Sequence, residues 1–238
     1  MIDLLAIGVH PDDIELGCAG TLLAEKHRGK SIAAVDLTRG ELGTRGTPEL
    51  RLKESTAAAK ILGLSYRSNL EMPDGWFENN EINRRKLIRE IRHLRPKIIL
   101  ANAIEDRHPD HGRAATLIYD ACFLAGLRKI ETTWEDGEIQ EPHRPDLLLH
   151  YTQDRWIKPD IVVDISGFMD LKLESIKAYG SQFFDPNSDE ENTYISSPQF
   201  WENIKTRGME VGRAMGYSYG EGFTTNRMLG VQSLFNLD

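Results

Sequence analysis

Short apolar runs alternate with stretches of helical periodicity along the first half of this chain. That alternation restricts the fold more than any other property of the sequence. Ile2 to Val9 is an uninterrupted apolar run ending in Gly8-Val9, the pattern of a strand buried on both faces. A helix is expected from about Ala19 to His27, stopped at Gly29, and Ser31 to Leu37 reads as a second strand. Thr47-Pro48 supplies a cap and a first-turn proline for a helix running to Leu62 and closed by Gly63. A third strand is expected at Ser65–Leu70. The helix from Ile82 to Leu94 carries Leu87, Ile88, Ile91 and Leu94 on one face. Pro96 ends it, Lys97 to Ala101 forms a fourth strand, and Gly112 to Ala125 a further helix. Repeated strand–helix pairs imply right-handed crossovers around a parallel sheet, hence an α/β, doubly wound fold with helices on both faces.

Later strands are expected at Leu147–Tyr151 and Ile161–Ile165, with helices near Phe168–Tyr179 and Pro198–Met215. Glu131–Glu141 and Asp185–Asn192 read as loops. No repeat or linker divides the 238 residues, so one domain over 1–238 is the expectation.

The formal net charge of −8 argues against a nucleic-acid partner. The basic stretch Arg84–Lys97 lies on a helix and reads as a solvated face. No apolar run reaches the length of a membrane span and the N-terminus lacks a signal pattern, so a cytoplasmic protein is expected. Two distant cysteines, Cys18 and Cys122, support neither a disulfide framework nor a cysteine metal site.

Chemistry concentrates at two strand ends. The first strand runs into His10-Pro11-Asp12-Asp13, and one His and two Asp at the end of a buried strand need a partner, commonly a divalent cation. His10 and Asp13 can converge on one ion if the chain turns at Pro11, while Asp12 points elsewhere. The fourth strand is followed by Arg107-His108-Pro109-Asp110-His111. In a doubly wound sheet the first and fourth strands are neighbours at the point where strand order reverses, and ligands bind there. The two clusters are therefore expected to meet. Two His and one carboxylate leave positions open for water and substrate. A phosphate cradle, the rival on such a fold, has no G-x-G-x-x-G to support it. The glycine-punctuated stretch Gly40–Gly46 is either a mobile loop over the site or simply a loop.

With these residues the sequence resembles the LmbE-like (PIG-L) family of N-acetylglucosaminyl deacetylases. The resemblance rests on His10-Pro11-Asp12-Asp13 with Glu15 and Gly17, Thr38-Arg39-Gly40-Glu41 with Gly46, Arg51 with Glu54, and His108-Pro109-Asp110-His111. Ser181-Gln182-Phe183 and Thr193-Tyr194-Ile195 look most like the bacillithiol-biosynthesis deacetylases, which act on N-acetylglucosaminyl malate. The resemblance implies a Rossmann-like fold, a zinc cofactor (ferrous iron in some members), a small amino-sugar substrate and a homo-oligomer, a hexamer in near relatives.

Under that resemblance His10, Asp13 and His111 are expected to hold the metal, and Asp12 to act as general base; its bland alternative is a helix-capping or ligand-orienting group. His108 is expected to protonate the leaving nitrogen or stabilise the oxyanion, with Asp110 orienting its ring. Otherwise His108 only orients the loop. Tyr194 is an oxyanion donor or a surface tyrosine. Arg51 is expected to bind a substrate carboxylate or else to pair with Glu54 or another acid, and Glu41 and Asp74 to contact sugar hydroxyls or water.

Overall fold

The computed structural model describes residues 1–183 and 190–236. The element order is β1 (Leu4–Gly8), α1 (Asp13–His27), β2 (Ile32–Thr38), α2 (Pro48–Leu62), β3 (Tyr66–Met72), α3 (Glu81–Leu94), β4 (Ile98–Ala101), α4 (Pro109–Ala125), β5 (Leu147–Tyr151), β6 (Ile161–Asp164), α5 (Met169–Lys177), α6 (Pro198–Arg213) and β7 (Gly220–Thr224). The expected Asp185–Asn192 loop lies largely outside the described residues.

The strands form one sheet of order β3-β2-β1-β4-β5-β7-β6, parallel except for β7, which runs antiparallel to both β5 and β6. β1 pairs with β2 on one side and β4 on the other, so the order reverses between β1 and β4 as expected. The continuous apolar runs follow from burial on both faces. Leu5, Ile7 and Val9 of the β1 segment join Val35, Leu37 and Ile99 against α3 and α4. The alternate residues Leu4 and Ala6 join Ile32, Ala34 and Leu100 against Ile14, Cys18 and Leu22 of α1.

Three expectations are corrected. Helix α1 begins at Asp13, six positions before the expected start at Ala19, because Gly17 and the acids of its first turns mask its apolar face. Gly17 is required there by close packing: a Cβ would fall 2.3 Å from Cδ2 of the Tyr151 ring. Helix α4 begins at Pro109 rather than Gly112, with the Nδ1 of His108 accepting from the Asp110 N–H as its cap. The basic stretch on α3 is only partly solvated. Arg92 is buried and donates to the carbonyls of Ala125, Leu127 and Ile130 and to the Thr132 hydroxyl, tying α3 to the end of α4.

Strand β7 carries no sign of itself in the sequence. Its residues GEGFT offer two glycines and a buried glutamate where a strand pattern should show alternation. Glu221 is satisfied by Lys172 of α5 at 2.6 Å, and its two oxygens also accept from the Gly20 and Thr21 N–H groups of α1. Lys172 in turn donates to the Leu16 carbonyl. Among the described residues no helix is long and apolar enough to cross a membrane.

Candidate active site

The carboxyl ends of β1 and β4 lie side by side, which brings His10, Asp12 and Asp13 to the loop and first helical turn carrying His108, Asp110 and His111. The imidazole centroids are 4.7 Å apart for His10 and His108, 5.7 Å for His10 and His111, and 5.3 Å for His108 and His111. Asp74, from the turn after β3, closes the group through a 3.0 Å contact between its Oδ1 and the Nε2 of His10. All of these but Asp110, which is buried behind it, line a cavity of ≈ 420 Å³.

Each of the expected ligands has one donor atom held by a neighbour and the other turned toward the cluster. Asp13 Oδ2 accepts from the Val9 and His10 N–H groups and from Asn102 Nδ2, all at 3.0 Å. Its Oδ1 lies 3.2 Å from the Nε2 of His111 and 3.2 Å from Gln153 Nε2. The Nδ1 of His111 meets Asp106 Oδ2 at 2.6 Å, which orients Nε2 inward, and the Asp74 contact to Nε2 of His10 does the same for its Nδ1, 3.6 Å from Asp13. A carboxylate backing the far nitrogen of an imidazole is the usual support of a metal-binding histidine. The 3.2 Å between Asp13 and His111 is close to the separation of adjacent donors around an ion with bonds of about 2.1 Å. The imidazole and carboxylate donors gathered here suit a divalent metal. Among the described residues, two groups present donor atoms within 4.8 Å of one another: His10, His108 and His111, and His10, Asp74 and Asp110. The expected trio of His10, Asp13 and His111 is not one of these groups, and Asp13 touches His10 and His111 through different oxygens.

The surrounding carboxylates favour positive charge on two of the imidazoles. Burial opposes charge on His10, yet its contacts with Asp13 and Asp74 push its pKa up to about 10. Burial likewise opposes charge on His111, but Asp13 and Asp106 raise it to about 9. Burial of Asp13 is outweighed by these imidazoles, which hold its pKa well below the usual carboxylate range. His108 moves the other way: burial and the two neighbouring histidines lower it. Asp12 is raised to about 7, chiefly by burial, with Arg51 pulling against the rise.

Several residues sit otherwise than expected. Asp110 does not hold the His108 ring through its carboxylate, which instead accepts from Arg113 at 2.6 Å and from the Gly75 N–H at 2.9 Å. Only its backbone N–H reaches His108. Arg51 takes the alternative of a pair with another acid: it is buried and meets Asp12 at 2.8 Å. Asp74 is on His10, and Glu41 reaches the site indirectly, by accepting from the Asp74 N–H at 3.0 Å. Tyr194 lines the cavity half-exposed, donating to Asp154 Oδ1 at 2.8 Å with the Arg107 guanidinium over its ring. Asp12 makes no capping bond through its side chain. Asn102, Asp106 and Gln153 were not anticipated. Their only signal is position, at or just beyond the ends of β4 and β5.

A topological switch point lined by imidazoles and carboxylates defines an α/β protein with a polar catalytic-type site at the ends of its parallel strands. Residues 5–122 match the family model described as GlcNAc-PI de-N-acetylase, PIG-L. The chain is 29% identical over 231 residues to the diacetylchitobiose deacetylase of Thermococcus kodakarensis, covering 92% of this chain and 81% of that one. It is 35% identical over 190 residues to the uncharacterized deacetylase YaiS of Escherichia coli, covering 75% and 90%. The conserved protein TT1542 of Thermus thermophilus superposes with a TM-score of 0.85 at 39% identity over 98% of both chains. This chain belongs to the PIG-L (LmbE-like) deacetylase family.

Proposed function

We propose that the protein is a metal-dependent N-deacetylase of substrates built on N-acetylglucosamine, hydrolysing the acetamide to acetate and a free amine. The observation that carries this reading is the meeting of the His10, His108 and His111 imidazoles with Asp13 and Asp12 at the neighbouring ends of β1 and β4. Two imidazoles and a carboxylate suit zinc, and ferrous iron accepts the same donors. Such an ion supplies Lewis acidity toward the acetyl carbonyl.

The chain's own groups account for the proton traffic. Asp12 takes a proton from the attacking water as the new C–O bond forms. His108, whose Nδ1 accepts from the Asp110 N–H, presents a neutral Nε2–H that hydrogen-bonds to the developing oxyanion, and the proton that Asp12 took from the water passes to the nitrogen as the C–N bond breaks. Tyr194, on the cavity wall, adds a second donor once its hydroxyl leaves Asp154.

A malate conjugate is suggested by the 181–183 and 193–195 segments. However, Ser181 donates to Glu54, Gln182 to the Arg45 carbonyl, and Arg51 to Asp12. Relatedness to a diacetylchitobiose deacetylase supports a chito-oligosaccharide equally. Acetate release should be measured on N-acetylglucosamine, diacetylchitobiose and N-acetylglucosaminyl malate, before and after chelation and after zinc or iron is restored. Turnover of at least one, lost with the chelator and regained with metal, is expected. No acetate from any of the three in the metal-loaded protein would end the proposal.

A further inference from the structure

The buried Lys172–Glu221 pair meets helix α1 inside the wall of the active-site cavity, which Leu16, Gly17, Lys172 and Glu221 all line. Lys172 Nζ donates to Glu221 Oε1 at 2.6 Å and to the Leu16 carbonyl at 2.7 Å. Glu221 accepts from the Gly20 N–H on Oε1 at 2.9 Å and from the Thr21 N–H on Oε2 at 2.7 Å. In a regular α-helix the Leu16 carbonyl and the Gly20 N–H would be the two ends of one rung, four residues apart. Here both ends meet the ion pair, which spans the rung from carbonyl to amide through Nζ and Oε1. A side chain that enters the ladder in this way turns the axis of a helix.

The grip falls one turn after the reacting carboxylates. Leu16 donates its own N–H to the Asp12 carbonyl at 2.9 Å, and the Asp13 N–H reaches the His10 carbonyl at 3.1 Å. The held part of α1 therefore runs directly into the His10–Asp13 turn. Further along, the helix is pressed onto the sheet: a Cβ at Gly20 would fall 2.7 Å from Cδ1 of Ile165, just beyond β6. With the axis fixed there, the spacing between the Leu16 carbonyl and the Gly20 N–H sets the direction of the first turn.

We infer that Lys172 and Glu221 are positioning residues: wedged into one rung of α1, they aim its first turn and so place Asp12 and Asp13. This rests on the roles given to those two carboxylates above. Stability alone does not call for an ion pair at this place, since apolar side chains of similar volume serve a buried site at least as well. Misplacement of a reacting group by about an ångström, in contrast, costs on the order of 100-fold in rate.

The test is the double variant Lys172→Met/Glu221→Met, which fills the same space without charge. Its metal affinity is measured by competition with a chromophoric chelator, its kinetics at saturating metal on the best acetylated substrate, and its fold by crystallography. It is expected to unfold in denaturant at or near the wild-type midpoint. In its structure the Leu16–Gly20 rung should close to about 3 Å and Asp13 should shift by about an ångström. We expect kcat to fall about 100-fold with KM within about threefold, and metal affinity to fall about 10–100-fold. Glu221→Asp, which keeps the charge but stops a methylene short of the two N–H groups, should fall between. Wild-type metal affinity and kcat in a stable double variant would overturn the inference; so would an unmoved first turn. If the double variant fails to fold, Glu221→Asp decides by the same measurements, and near-normal kcat and affinity there would overturn it too. If the wild type neither binds metal nor releases acetate, the proposed function fails, while the place of Asp13 in the variant structures still decides the positioning role.

Discussion

At the scale of single residues, the site divides its labour between atoms of one side chain. Asp13 spends one oxygen on three N–H donors and keeps the other for the centre of the cluster. His111 spends one nitrogen on Asp106. His111→Ala is expected to lose bound metal, measured by elemental analysis of the purified variant; retention at full stoichiometry would remove it from the ligand set. Asp106→Asn is expected to weaken metal affinity by about 10–100-fold while leaving the fold intact, in a competition assay with a chromophoric chelator. Asp12→Asn should keep its metal and lose most of kcat, and near-normal turnover would show that the base lies elsewhere. Asp106, Asn102 and Gln153 were invisible in the sequence for a physical reason. A polar residue in a loop has no periodicity to betray which way it points, whereas the His-Pro-Asp clusters announce themselves by the cost of leaving such groups unpartnered at a buried strand end.

At the scale of elements, what could be read ahead was what periodicity reports. Strands β1, β2, β4 and β5 show as apolar runs because both their faces are covered, and α2 shows through its Thr47 cap and Gly63 stop. Boundaries failed where polar chemistry sits on the first turn of a helix, as at Asp13 and Asp110. β7 failed because Glu221 is a buried charge whose partner, Lys172, is far off in the chain. That ion pair engages Leu16, Gly20 and Thr21, groups within the ladder of α1 itself. Breaking a buried pair leaves one uncompensated charge, so Lys172→Met or Glu221→Gln alone should each cost about 3–5 kcal/mol in chemical denaturation. The double variant should recover most of that loss. Additive losses would show that the two groups do not act as a pair. Cys18 and Cys122 lie inside the helix–sheet interfaces, and burial raises both thiols, Cys122 to about 12. Neither should react with a thiol reagent in the native protein, and both should in denaturant. Titration of even one native thiol would contradict that packing.

At the scale of the whole molecule, the arrangement of helices around a mostly parallel sheet followed from the alternation of its segments, and the adjacency of β1 and β4 followed from the rule of the reversing strand order. The antiparallel closure did not, since no local pattern tells a late segment to turn back between two earlier strands. β7 sits between β5 and β6, so among the described residues β6 pairs only with a strand made some 56 positions after it, counting Asp164 to Gly220. On the ribosome, every group of the His–Asp cluster has emerged long before this keystone, yet α1 still lacks the glutamate that grips it. A nascent chain halted short of Gly220 should carry the reactive side chains without a finished wall behind them, and competence should arrive late and all at once.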